Sequence, residues 1–75
     1  MMSNKKIESL VLKYEIINSQ GDKFLELTGD SKESCKRYIY KQLEELYFLI
    51  PEKKLEKKFP VIYGQLKAIR TRIGA

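Results

Sequence analysis

Two groups of cations are the residues whose chemistry could define a function. Lys32, Lys36 and Arg37, with Ser34 and Tyr40, fall in a short stretch after Gly29. Lys53, Lys54, Lys57 and Lys58, with Lys67 and Arg70, crowd the last third of the chain. Ammonium and guanidinium groups bind phosphate and carboxylate oxygens, and Lys or Arg can also reach a guanine edge in the major groove. A serine hydroxyl or a helix N-terminus adds a phosphate contact. The remaining chemistry is thin. The chain has no histidine and one cysteine, Cys35, so it lacks the commonest acid–base side chain and a ligand set for zinc. A lone cysteine forms no internal disulfide, and its place on a helix face with Tyr38 and Ile39 makes it a small core residue. No catalytic residue, metal or cofactor is expected, and an enzyme is the least favoured class.

The net charge of +5 is unevenly placed. Residues 1–50 carry eight Lys/Arg and eight Asp/Glu, whereas residues 51–75 carry seven Lys/Arg and two acids, Glu52 and Glu56. A neutral body with a cation-rich end implies an anionic partner contacted mainly at that end. Double-stranded DNA and an acidic protein surface are the two partner classes that fit. The 75 residues make one domain, 1–75, near the lower size limit for an independent core. No apolar run approaches the roughly 18 residues of a membrane span. The opening MMSNKKIES lacks the apolar stretch of a signal peptide, so a cytoplasmic protein without membrane contact is expected.

The elements that must position these cations read as helices. From Ser31 to about Leu49, Cys35, Tyr38, Ile39, Leu43, Leu46, Tyr47 and Ile50 follow helical spacing, with Gln42 as the polar interruption. Asp30 or Ser31 is the expected cap, Asp30 with Glu33 resembles a capping box, and Pro51 is the expected stop. In the N-terminal segment Ile7, Leu10, Val11, Tyr14 and Ile17 form one helical stripe, with a break at Ser19–Asp22 and Gly21 as the C-cap. The same residues alternate well enough for a β-hairpin, the alternative for this segment. After Pro51, Leu55 and Phe59 share one face of a short helix and the lysines the other. Pro60 suits the first turn of a last helix, whose stripe is Ile62, Leu66, Ile69 and Ile73. A core this small is not expected to cover that stripe fully, so a homodimer through these four residues is expected. The predicted fold is all-α, a small helix-turn-helix-like bundle of four to five helices; the alternative is α+β, an N-terminal β-hairpin packed on a long central helix. Tyr40 and Tyr63 are the rings expected to be exposed.

The run from Gly29 to Ile39, followed by Leu43 and Leu46, resembles the turn and recognition helix of bacterial and phage-type helix-turn-helix regulators. Such proteins often carry Gly-x-Ser-x-x-Thr/Ser-Val, with Ser34 here at the Thr/Ser position and Cys35 at the Val position. Leu25, four residues before Gly29, stands where they place a small or apolar packing residue. The resemblance covers residues 24–49, about a third of the chain. With Cys35, Tyr38 and Ile39 toward the core, Lys32, Glu33, Lys36, Arg37 and Tyr40 are expected on the open face; the resemblance implies that Lys32, Lys36, Arg37 and Tyr40 meet DNA there, with Ser34 on a phosphate and the cations of 51–75 as backbone contacts. The function it implies is a small DNA-binding transcription regulator of the size found in phages and mobile elements. The alternative, from charge and size alone, is a non-enzymatic inhibitor or adaptor that binds an acidic or nucleic-acid-binding surface of a larger protein.

Overall fold

Ser3 accepts a hydrogen bond from the backbone N–H of Lys6 at 3.2 Å, and the chain turns into its first helix at that cap. The computed structural model describes residues 3–74. Nearly all of them lie in four helices: α1 (Asn4–Phe24), α2 (Gly29–Leu49), α3 (Glu52–Lys58) and α4 (Pro60–Gly74). The fold is therefore all-α with four helices, and the segment read as either helix or hairpin is one helix.

The apolar spacing sets which faces meet. Leu10, Ile17, Gly21 and Phe24 are the buried positions of α1. Cys35, Ile39, Leu43 and Leu46 are those of α2, Leu55 that of α3, and Leu66, Ile69 and Ile73 those of α4. With Ile50 these side chains form one core, and no polar or charged residue is buried among the described residues. Val11, Tyr14, Leu27, Tyr47, Phe59, Ile62 and Tyr63 pack against its edge.

Side-chain contacts fix the topology. Lys32 lies over the Phe24 ring, Cys35 donates to the Gln20 carbonyl at 3.5 Å, and Lys13 meets Glu45 at 2.7 Å. Numbers falling on α1 as they rise on α2 mean that the two helices run antiparallel. Tyr14 donates to Gln65, Gly21 lies against Ile69, and Arg72 approaches Asp22 at 3.8 Å. Here the numbers rise together, so α4 runs parallel to α1. Helices α1, α2 and α4 form a three-helix bundle, with α3 packed on α4 at the end where α2 finishes, and the chain as described measures 42 × 19 × 16 Å.

Several boundaries differ from the sequence expectation. The helix does not break at Ser19–Asp22. It runs on to Phe24, and Gly21 is not its C-cap but a buried residue inside α1. A Cβ at Gly21 would lie 3.2 Å from both Cγ1 and Cγ2 of Ile69, so the glycine is there to let α4 approach. Neither Asp30 nor Ser31 caps α2. Both lie in its first turn, and the cap residue is Thr28, with no side-chain hydrogen bond. The expected glycine turn is present: Gly29 has a φ of +59°, the one positive φ among the described residues. Pro51 ends α2 as expected, with Ile50 extended before it, and Pro60 opens α4.

Two glycine substitutions should therefore act in opposite directions. Gly29→Ala puts a Cβ in the left-handed region and should destabilise by about 1–2 kcal/mol. Gly64 is exposed inside α4, and nothing lies within 4 Å of a Cβ built there. Gly64→Ala should stabilise by about 0.5–1 kcal/mol. Urea unfolding of the two variants beside the parent checks both signs.

Candidate nucleic-acid interface

The local sequence explains why the α3 lysines point outward. Leu55 is the fully buried anchor of a seven-residue helix, with Phe59 beside it at the core edge. Lys53, Lys54, Lys57 and Lys58 share the remaining positions with Glu52 and Glu56, and all six are exposed. The start of α3 is held to α4 by Tyr63, whose hydroxyl donates to Glu52 at 3.4 Å. Tyr63, Lys67 and Arg70 follow one another at helical spacing along one flank of α4, and the Lys67 ammonium lies 5.9 Å from the Tyr63 ring centre. The α3 lysines, Lys67 and Arg70 thus lie on two adjoining elements, α3 and one flank of α4, with Glu52 and Glu56 beside Tyr63 where the two meet. No acidic residue occurs after Glu56, and none of these six cations forms a salt bridge among the described residues.

The second expected group lies elsewhere. From Ser34 to the end of α2 is about 22 Å at 1.5 Å per residue, so Lys32, Ser34, Lys36 and Arg37 sit toward the other end of the bundle. Ser34 and Arg37 are exposed. Lys32 and Lys36 are half-buried, not open, and the Lys32 ammonium rests 4.7 Å from the Phe24 ring centre. Tyr40 is exposed at its ring edge, yet its hydroxyl leans over α4, 3.5 Å from where a Cβ of Gly74 would be. Tyr63 is half-buried and serves as the α3–α4 strut, not as an open ring. Tyr38, expected in the core, is 42% exposed. Leu25, expected to pack, is 59% exposed.

The turn itself is unlike the one expected from the resemblance. In a helix-turn-helix the two helices cross at about 90–120°. Here contacts continue from Phe24 and Lys32 at the turn to Lys13 and Glu45, about 16 Å further along α1. Helices diverging at such an angle could not keep those residues in contact. The α1–α2 unit is a long antiparallel hairpin, and α1 flanks the helix that was to enter a groove.

The homodimer expectation also needs correction. Leu66, Ile69 and Ile73 are buried against the chain's own helices and Ile62 is half-buried at the core edge, so the stripe is not free to bind a second copy. Sequence reasoning missed Phe48, which is 90% exposed. Ile39, Leu43, Leu46 and Ile50 already fill the inner side of α2, and helical spacing alone would have put Phe48 on the opposite side.

The surface of the described residues has concavities at the turn and beside α4. One, about 550 Å³ and open, lies at the turn, lined by Gln20, Lys23, Leu27, Asp30, Ser31, Ser34, Cys35 and Tyr38. Another, about 180 Å³, lies between Tyr40, Leu43, Glu44, Tyr47 and Arg70. Burial, and then the nearby Glu52 carboxylate, push the phenols of Tyr47 and Tyr63 above the usual tyrosine range. The hydrogen bond from Lys13 and its charge lower the Glu45 carboxyl below its usual range. These shifts belong to packing contacts between helices and describe no reacting group. No helix of the described residues is long and apolar enough to cross a membrane. No protein-family model, characterised protein or solved structure matches this chain.

Proposed function

We propose that this chain is a small DNA-binding regulatory protein that grips the phosphate backbone of duplex DNA through the α3–α4 surface. The observation that carries the reading is the cluster of six exposed cations, Lys53, Lys54, Lys57, Lys58, Lys67 and Arg70, in a stretch without an acid after Glu56. Fixed cations that neutralise phosphates release condensed counterions, and this entropy drives binding without base contacts. The Leu55 anchor and the Tyr63 strut hold the helix that carries four of the six, so little backbone freedom is lost on binding. Lys32, Ser34, Lys36 and Arg37 sit too far along the bundle to belong to the same patch and are left out of it.

The acidic-protein alternative keeps one supporting observation. Val61, 70% exposed, lies three residues beyond Lys58, and an apolar residue beside cations suits a protein surface better than a phosphate backbone.

Fluorescence anisotropy with a labelled duplex across a salt series separates the readings. The logarithm of affinity should fall linearly with the logarithm of salt, and each phosphate-binding lysine replaced by Gln should reduce the slope by about 0.9. Lys54→Gln and Lys57→Gln should show this. Lys23→Gln, an exposed lysine at the far end of the bundle, should leave the slope unchanged. Equal effects from all three would show that net charge alone is read. No duplex binding at low salt, with a protein partner recovered and then lost on charge reversal of 53–58, would favour the inhibitor or adaptor.

A further inference from the structure

The outward face of α2 meets the surface just described only at Glu44, which lines one concavity with Arg70. Ser34, Arg37, Lys41, Glu44 and Phe48 recur at spacings of 3, 4, 3 and 4, which puts them in one seam along the helix. All five are exposed, on the side away from Cys35, Ile39, Leu43 and Leu46. Phe48 is the most exposed large apolar side chain of the described residues. Neither Lys41 nor Glu44 forms a salt bridge within the chain among the described residues. The seam is thus an uncovered aromatic, two cations and one acid in a fixed order.

That order is complementary to itself when reversed. Two α2 helices placed antiparallel, with their dyad between the levels of Gln42 and Leu43, bring Lys41 opposite the partner's Glu44. The same register brings Arg37 opposite the partner's Phe48. Each pairing occurs twice, once on either side of the dyad, as an isologous interface requires. Lys41 then gains an opposite charge, and the Arg37 guanidinium covers an aromatic face otherwise left in water. Parallel pairing would set Lys41 on Lys41 and Glu44 on Glu44, which repel.

We propose that this chain self-associates as an antiparallel dimer through the Ser34–Phe48 seam of α2. The occupant is a second copy because the seam supplies, within itself, the partner for each of its charged groups. The seam is about 21 Å long, short of a standard interface, so the dimer is weak, with a Kd of about 10–100 µM. The proposal stands independently of what the α3–α4 surface binds.

Sedimentation velocity of the full chain over about 10–500 µM tests it. The parent should show a monomer–dimer equilibrium. Phe48→Ala should raise Kd about tenfold or more, with unchanged helix content by circular dichroism. Lys41→Glu and Glu44→Lys should each weaken association, because each creates two like-charge pairs. An equimolar mixture of these two variants should associate more tightly than either alone, since every 41–44 pairing between unlike chains is then opposite in charge. A parent that stays monomeric throughout overturns the proposal. So does a dimer indifferent to Phe48→Ala and Lys41→Glu, or a mixture no tighter than its components.

Discussion

Leu46→Ala lowers the stability of the fold by about 2–5 kcal/mol. Leu46 is fully buried on α2, the helix that runs antiparallel to both α1 and α4. Removing the isopropyl end of its side chain forfeits the transfer free energy of three buried carbons and leaves a void that the rigid neighbours close only in part. A chain of this length has a total stability of about 4–11 kcal/mol, so a large share is lost, and the variant is expected to be substantially unfolded at 37 °C. Urea unfolding followed by circular dichroism measures it. Phe48→Ala provides the contrast: it removes a larger side chain from the same helix but from an exposed position, and should change stability by less than about 0.5 kcal/mol. If Leu46→Ala cost no more than Phe48→Ala, the phase of α2 described above would be wrong.

Gly21→Leu should be nearly as damaging, for the opposite reason. The first carbon of any side chain at Gly21 already meets Ile69 at 3.2 Å, and the rest of a leucine has no space between α1 and α4. The two helices must move apart or Ile69 must leave its rotamer, at a cost of about 1–3 kcal/mol or more. Gly21→Ala is milder, because the tight contact is set against a helix-propensity gain of about 1 kcal/mol. Shrinking the neighbour should rescue: Gly21→Leu combined with Ile69→Ala should cost less than the sum of the two single changes. Unfolding free energies for the four proteins of that cycle give the coupling directly. Additive losses would mean that Gly21 and Ile69 are not in contact.

These two residues also mark how far the sequence could be read. The phase of α2 was legible because the helix is long, its inner side repeats Cys35, Ile39, Leu43, Leu46 and Ile50, and Pro51 ends it. Pro60 as the first residue of α4 was legible for the same local reason. Gly21 was not. A glycine near the end of an apolar pattern looks like a terminator, and only its contact with Ile69 of α4, 48 residues later, shows that it is a packing notch. The stripe Ile62, Leu66, Ile69 and Ile73 was visible as an apolar face, but periodicity does not say which neighbour covers it. In the candidate interface the cations were named correctly as exposed in α3, because Leu55 fixes the phase of that helix. Their separation from Lys32 and Lys36 was not legible, since it depends on α2 being one straight element that carries the two groups to different ends. Lys32 was misplaced because its ammonium lies over the Phe24 ring, a contact made across a turn whose path the sequence does not state.

The parallel course of α1 and α4 has an electrical consequence. Each helix carries a partial positive charge of about half a unit at its N-terminus and an equal negative one at its C-terminus. In an antiparallel pair these offset one another, but in this bundle two helices point one way and α2 alone points the other. The N-termini of α1 and α4 share the end at which α2 finishes and α3 begins. One half-charge is left unopposed at that end, with positive sign, and its negative counterpart lies at the turn between α1 and α2. The peptide backbone therefore carries a field of the same polarity as the lysines of α3. An approaching anion would be drawn to the α3 end by the direction of the helices as well as by the side chains, in a way no side-chain substitution removes.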